Sequence, residues 1–290
     1  MTVKAVHGEL VRPRFTEFAE AVALADGAAP FNEDTTLNLA DRTAHLIEAE
    51  GELRALALSH ALEDGTIEAE LAVHPQWRAQ GLGAELLGAL QDAAAAADAP
   101  ALQLWAHGNH PGGRQLAGAA GFALVRTLYQ LELPLPETIE APEFREGERI
   151  RPFDRERDGA AWVELNAKVF ADHPEQGRLG LDDLDARIAQ DWFDAADFLV
   201  LESAGGEMLG YNWLKITPEE AEIYVIGVAE KAAGRGYGTA LMQAGLARIR
   251  EHGAGCAVLY VDGENERAVA LYRRLGFVDR TVDVQYRRAR

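Results

Sequence analysis

The chain repeats itself at a fixed interval, and that constrains its fold more than any other feature. Residues 73–87 read VHPQWRAQGLGAELL and residues 228–242 read VAEKAAGRGYGTALM. Gly81 and Gly236 stand 155 residues apart, and the same interval joins Gly83 to Gly238, Val73 to Val228, Trp105 to Tyr260, Gly108 to Gly263 and Gly121-Phe122 to Gly276-Phe277. A register held over about fifty residues points to two copies of one domain rather than one large core, and 290 residues suit two domains. Between the copies, LPLPETIEAPEFREGE (133–148) crowds prolines and glutamates together without helical or strand periodicity, as a linker does. We expect an N-terminal domain over 1–137, a linker over 138–148 and a C-terminal domain over 149–290.

Hydrophobic periodicity supplies the elements. In the second copy IRPF, FLVLE, EMLGYNWLKI, EIYVIGV, AVLYV and VDRTVDVQY read as strands. DGAAWVELNAKVF, LDDLDARIAQ, GYGTALMQAGLARIREHG and NERAVALYRRLG carry helical spacing. The first copy repeats the later part of this order with strands ELRALALSHAL, IEAELAV, ALQLWA and FALVRTLYQLEL and the helix LGAELLGALQDAAAAA. Each copy is thus expected to be an α/β (α+β) unit, a mixed and mostly antiparallel sheet flanked by helices.

Composition narrows the partners. Forty-seven acidic against 28 basic residues leave a net charge of −19, which disfavours nucleic acid and anionic membranes. No apolar run is long enough to cross a bilayer, and the N-terminus lacks a secretory leader's apolar core. Cys256 is the only cysteine and the eight histidines show no ligand spacing, so neither an intrachain disulfide nor a metal site is expected. These features suit the cytoplasm, and we expect a monomer. An anionic ligand would need a local device to offset the acidic field, such as the amides of a helix N-terminus.

The repeated turn is such a device. A strand, a glycine turn and a helix bring unpaired N–H groups against a ligand, where a pyrophosphate fits. A dinucleotide fingerprint is not met, because GLGAEL and GRGYGT both lack its third glycine, and no GK[ST] follows for a Walker loop. RAQGLG instead fits the R/Q-x-x-G-x-G/A loop, with an AGF or LGF element about 40 residues on, and in both respects the chain resembles the GCN5-related N-acetyltransferases. The second loop, AGRGYG, departs from the pattern by placing Ala233 where Arg or Gln is expected. ADHPEQGR (171–178), NWLK (212–215), EIYVIGV (222–228) and LYVDGEN (259–265), in that order, resemble the tandem members of that family that acetylate the cysteinyl amine of a glucosaminyl-inositol pseudo-disaccharide, desacetylmycothiol.

The resemblance implies direct transfer of acetyl from acetyl-CoA to that small-molecule amine. It implies pyrophosphate and thioester binding by Leu71, Ala72 and Val73 with Ala79, Gln80, Gly81, Leu82, Gly83 and Ala84 in the first copy. In the second it implies Ile226, Gly227 and Val228 with Ala233, Gly234, Arg235, Gly236, Tyr237, Gly238 and Thr239, and the run Asn265, Glu266, Arg267, Ala268, Val269, Ala270. Glu222 is the expected base, a task that contributes about 10²–10⁴-fold, and amides around Gly227 would polarise the thioester. Tyr260 and Tyr272 compete for the remaining proton work. Glu33, Glu175 and Lys215, with Glu222 and Tyr260, are the expected contacts to the acceptor. Packing is the plainer role for either tyrosine, and solvation the plainer one for the acidic residues. An aminosugar or peptide amine as acceptor, or a regulatory acyl-CoA-binding module without turnover, are the alternative functions.

The constant interval also sets an expectation for the first copy. It puts Ile67 at Glu222, Trp105 at Tyr260, His110 at Asn265 and Ala117 at Tyr272. The first domain should therefore bind acetyl-CoA without turning it over.

Overall fold

The computed structural model describes residues 2–171 and 176–290. In chain order its elements are β1 (Lys4–His7), α1 (Arg12–Asp26), α2 (Glu33–Leu37), β2 (Thr43–Ala49), β3 (Glu52–Ala61), β4 (Ile67–Val73), α3 (Leu82–Ala96), β5 (Ala101–Ala106), α4 (Pro111–Ala119) and β6 (Ala123–Pro134). They continue with β7 (Arg149–Pro152), α5 (Arg155–Val169), α6 (Leu181–Ile188), β8 (Phe198–Glu202), β9 (Met208–Ile216), β10 (Ala221–Val228), α7 (Tyr237–Glu251), β11 (Cys256–Asp262), α8 (Glu266–Arg274) and β12 (Val278–Ala289). The strands and helices read from periodicity are all present. Five elements went unread: β1, α1, α2 and β2 ahead of ELRALALSHAL, and α4 after β5. The signal for α1 is there, since Val11, Phe15, Phe18 and Val22 recur at helical spacing and are all buried.

The chain forms two compact units. The first runs through Gln130 and also holds Val261–Glu266 and Asp279–Arg290; the second holds Leu131–Tyr260 and Arg267–Val278. The sequence copies have therefore exchanged ends: nearly all of β12 belongs to the first unit, and the end of β6 to the second. In the first unit the strand order is β1-β2-β3-β4-β5-β12-β6, with β4 and β5 parallel and β12 antiparallel to β5 from Ala106↔Val284 to Ala101↔Ala289. In the second it is β6-β11-β10-β9-β8-β7, with β10 and β11 parallel. Each unit has its own core. Leu86, Leu87 and Leu90 of α3 bury against one face of the first sheet and Phe15, Phe18 and Val22 of α1 against the other. In the second unit Trp162 of α5 is fully buried, with its ring edge-on to Phe198, Tyr211 and Trp213.

The two central hairpins differ by one residue. β3 and β4 pair without interruption from Ala61↔Ile67 to Ala55↔Val73. β9 and β10 pair from Ile216↔Ala221 to Gly210↔Val228, but the register slips between Ile223 and Val225, leaving Tyr224 as a bulge. The loop closing this hairpin, residues 217–220, is one residue shorter than its counterpart at 62–66. The shorter loop and the bulge cancel, so the constant interval in sequence hides a local shift. That shift corrects the expectation for Ile67. Glu222 lies opposite Lys215 and beside Val258; Glu68 lies opposite His60 and beside Gln103. His60 and Gln103 stand at the fixed interval from Lys215 and Val258, so Glu68, not Ile67, is the counterpart of Glu222.

Candidate active site

Of the residues expected to meet the acceptor, Glu222 and Lys215 come together on the central hairpin of the second unit. Glu222, half-buried near the start of β10, is the register partner of Lys215 on β9, a separation at which side chains interact. The Nζ of Lys215 lies 5.7 Å from the centre of the Trp192 ring, within cation–π reach. Tyr260 stands two residues beyond Val258, the parallel neighbour of Glu222, and is 49% exposed. Glu33 opens α2 of the first unit and is exposed. Glu175 lies outside the described residues, as do Asp172, His173 and Pro174 of the ADHPEQGR stretch.

At the other end of β10 the chain reaches the glycine turn. Gly227 is a glycine for a steric reason: a Cβ there would stand 2.9 Å from the ring of Tyr211. Gly234 and Gly236 adopt φ of 76° and 82°, a region that suits glycine, and Gly236 caps α7 with no side-chain bond to its first amides. The turn of the first unit has the same backbone. Gly81 takes φ 84° as the cap of α3, and Ala79 takes φ 58° where the second copy has Gly234. Both turns thus present helix amides of the kind that hold anions. Arg78, the arginine that makes the first loop fit its pattern, is bound within its own unit: it donates two hydrogen bonds to Asp26 at 2.6 and 2.8 Å and one to the Val73 carbonyl at 3.0 Å.

The helix after β11 is split by packing. Asn265 and Glu266 fall in the first unit, and Arg267, Ala268, Val269 and Ala270 in the second. Tyr272, further along α8, is buried with its ring 5.9 Å from Phe277, and burial pushes its pKa up to about 12.

The first unit holds a cavity of about 560 Å³ at its own turn, the size of a ligand pocket. Leu71, Ala72, Val73, Ala79, Gly81 and Gly83 line it, joined by Trp105 and His107 from β5 and beyond and by Tyr286 from β12. Two of its lining side chains, His107 and Trp105, are held by hydrogen bonds from behind the wall. His107 sits between Glu70 (Nε2 to Oε1, 2.6 Å) and Asp283 (Nδ1 to Oδ2, 2.9 Å). Burial opposes charge on this imidazole, but the hydrogen bonds and charges of Asp283 and Glu70 outweigh it and raise the pKa to about 9. Glu68 accepts from the indole of Trp105 at 3.1 Å and from the Gln285 amide at 2.8 Å. Sequence reasoning missed this carboxylate because the bulge that aligns it with Glu222 is visible only in strand pairing. Among the described residues, no group of three or more His, Cys, Asp and Glu side chains could hold a metal ion, and no helix is long and apolar enough to cross a membrane.

Comparison with known proteins agrees with this geometry. The acetyltransferase (GNAT) family model matches twice, over residues 10–122 and 140–277. The chain is 44% identical over 279 residues to a mycothiol acetyltransferase of Clavibacter sepedonicus, covering 93% of this chain and 90% of the relative. It is 41% identical over 281 residues to a mycothiol acetyltransferase of Thermobispora bispora, covering 93% of each. Among solved structures, a GCN5-related N-acetyltransferase from Sphaerobacter thermophilus superposes with a TM-score of 0.79 at 23% identity, covering 99% of this chain and 95% of the other. A tandem GNAT protein of the clavulanic acid biosynthesis pathway superposes at 0.71 with 17% identity, covering 99% and 98%. Both likenesses are likenesses of fold.

Proposed function

Since the chain belongs to the acetyltransferase (GNAT) family, we propose that its chemistry runs through the second unit, with Glu222 readying the acceptor amine. The reaction is acetyl-CoA-dependent N-acetylation in mycothiol biosynthesis, and the acceptor we assign is the cysteinyl amine of desacetylmycothiol. The pairing of Glu222 with Lys215, on the strand that leads into the α7 turn, carries this reading.

An amine is an ammonium at neutral pH, so one proton must leave before nitrogen can attack. Glu222 takes that proton, directly or through water. Lys215 and Tyr260 meet the acceptor's hydroxyls and amine. The nitrogen then bonds to the thioester carbonyl carbon, the C–S bond breaks, the nitrogen's second proton passes to the departing thiolate, directly or through water, and backbone amides at Ile226, Gly227 and Val228 meet the charge gathering on oxygen. The leaving group is a thiolate. A phenol raised to about 12 holds its proton more tightly than a thiol of about 8.5. Tyr272 therefore serves the thiolate as a hydrogen-bond donor rather than surrendering its proton. Acetyl-CoA is held by the turn Ala233–Thr239 and the start of α8. The first unit, with its intact turn and cavity, binds a second acetyl-CoA without turnover. We further assign a cytoplasmic monomer, in keeping with the net charge of −19 and a sequence with a single cysteine, Cys256.

The direct test is mass analysis of the product after incubation with acetyl-CoA and desacetylmycothiol. We expect a single added acetyl on nitrogen, one CoA released per product, and elution as a monomer on size exclusion. Cofactor binding without product would leave the binding-module reading, and turnover of an aminosugar in place of desacetylmycothiol would move the acceptor.

A further inference from the structure

The bulge that aligns Glu222 with Glu68 also gives the second unit a residue for which the first has no counterpart. That residue is Tyr224. Its ring is edge-on to Trp213 at 5.5 Å and to Trp192 at 5.3 Å, and its hydroxyl accepts a hydrogen bond from Nε of Arg187 at 3.1 Å. Arg187 is fixed in turn by a 3.0 Å bond to the Asp183 carbonyl within α6. Trp213 and Lys215 share a face of β9, so Tyr224, which meets Trp213, lies on the face where Lys215 stands opposite Glu222. Trp192 ties the group together by approaching both Tyr224 and the Lys215 ammonium.

Trp192 and Tyr224 pack against the core of the second unit, but that packing leaves part of each ring uncovered. Trp213 fills the interior and is fully buried, whereas Trp192 and Tyr224 are half-buried. A bulge disrupts ladder hydrogen bonds and re-aims a side chain, a device found beside active sites. Half-exposed aromatic faces rimmed by fixed N–H donors suit a ligand with an apolar C–H face and a hydroxylated edge. We propose that Tyr224, held by Arg187 and braced by Trp192, is a specificity-determining wall that receives a polyhydroxylated ring of the acceptor and so delivers its amine to Glu222. The inference rests on the reading of Glu222 and Lys215 as the acceptor site.

The test compares an acceptor that carries rings with one that does not. Steady-state kinetics of Tyr224→Ala are measured with desacetylmycothiol and with cysteinamide, which has the amine and thiol but no ring. We expect kcat/KM for desacetylmycothiol to fall about tenfold, mostly through KM. The value for cysteinamide and the KM for acetyl-CoA should stay within about twofold, which also reports a folded protein. Tyr224→Phe and Arg187→Lys should shift the same ratio less and in the same direction. An equal loss on both acceptors, or no loss on either, overturns the proposal. Failure of the Glu222 reading shows separately, as turnover persisting in Glu222→Gln, and leaves this ratio measurable. If the wild type turns over neither acceptor, calorimetric binding of desacetylmycothiol decides, and equal affinity in Tyr224→Ala overturns the wall.

Discussion

Glu68 and Glu222 occupy one place in two copies of a hairpin, and their surroundings differ at every neighbour. Glu222 has Lys215 across the strand pair and Tyr260 two residues along β11. Glu68 has His60 across the pair, and one of its oxygens takes hydrogen bonds from Trp105 and Gln285. A carboxylate oxygen already holding two N–H donors is a poor acceptor for a further proton. If Glu222 is the base we propose, the difference means that a catalytic position can be retired without losing its acid. We attribute the proposed silence of the first unit to the capping of Glu68 and to Trp105 and Ala117 standing where the second copy has Tyr260 and Tyr272.

The largest expected effect separates the two carboxylates. Glu222→Gln should lower kcat by about 10²–10⁴-fold with acetyl-CoA still bound, while Glu68→Gln should leave kcat within about threefold. Similar losses from both substitutions would make the units catalytic equals.

The two turns differ next. Gly81 sits at φ 84°, which a β-branched residue does not adopt. Gly81→Val should reduce acetyl-CoA stoichiometry in calorimetry from two per chain to one, with kcat nearly unchanged. A collapse of kcat in a folded variant would tie the first site to the chemistry.

His107 belongs to the first unit alone, since the fixed interval places Asp262 at its counterpart. A pKa raised to about 9 means that the folded state favours the imidazolium. Its contribution is full below the unfolded value of about 6.5 and fades as pH climbs through about 9, by up to about 3 kcal/mol. Urea unfolding between pH 6 and 10 should show that decline, and His107→Asn should flatten it. A variant as pH-dependent as the parent would remove His107 as the source.

The smallest effect contrasts Ala79 with Gly234. Ala79→Gly should relieve a left-handed alanine at φ 58° and raise stability by a few tenths of a kcal/mol, whereas Gly234→Ala should cost about 1 kcal/mol. Thermal melts of the pair should move in opposite directions; shifts of the same sign would mean that the turns are not equivalent.

Much of the fold was legible in the residues, because the signals involved are local. The buried faces of β3, β4 and α3 follow from hydrophobic spacing, and the left-handed backbone at Gly81 and Gly236 from glycine itself. Glu222 and Lys215 could be picked from their segments, but only strand pairing makes them neighbours. Tyr224 stood inside the quoted EIYVIGV segment without a role, and Trp192 and Arg187 gave no sign, since aromatic and arginine side chains at helix and strand positions are ordinary. Glu68 was hidden by a short loop and a bulge that cancel in the alignment of the copies.

The sequence by itself determined that there are two copies, where each turn lies, and that the second copy carries the tyrosines. The tertiary structure decided which strands close each sheet. β12 lies beside β5, supplying Asp283 to His107 and Gln285 to Glu68, although its residues would read the same in either unit. Periodicity reports which side of a strand is buried and is silent on which strand becomes its neighbour. That choice is made by long-range packing, and here it brings Gln285 to Glu68.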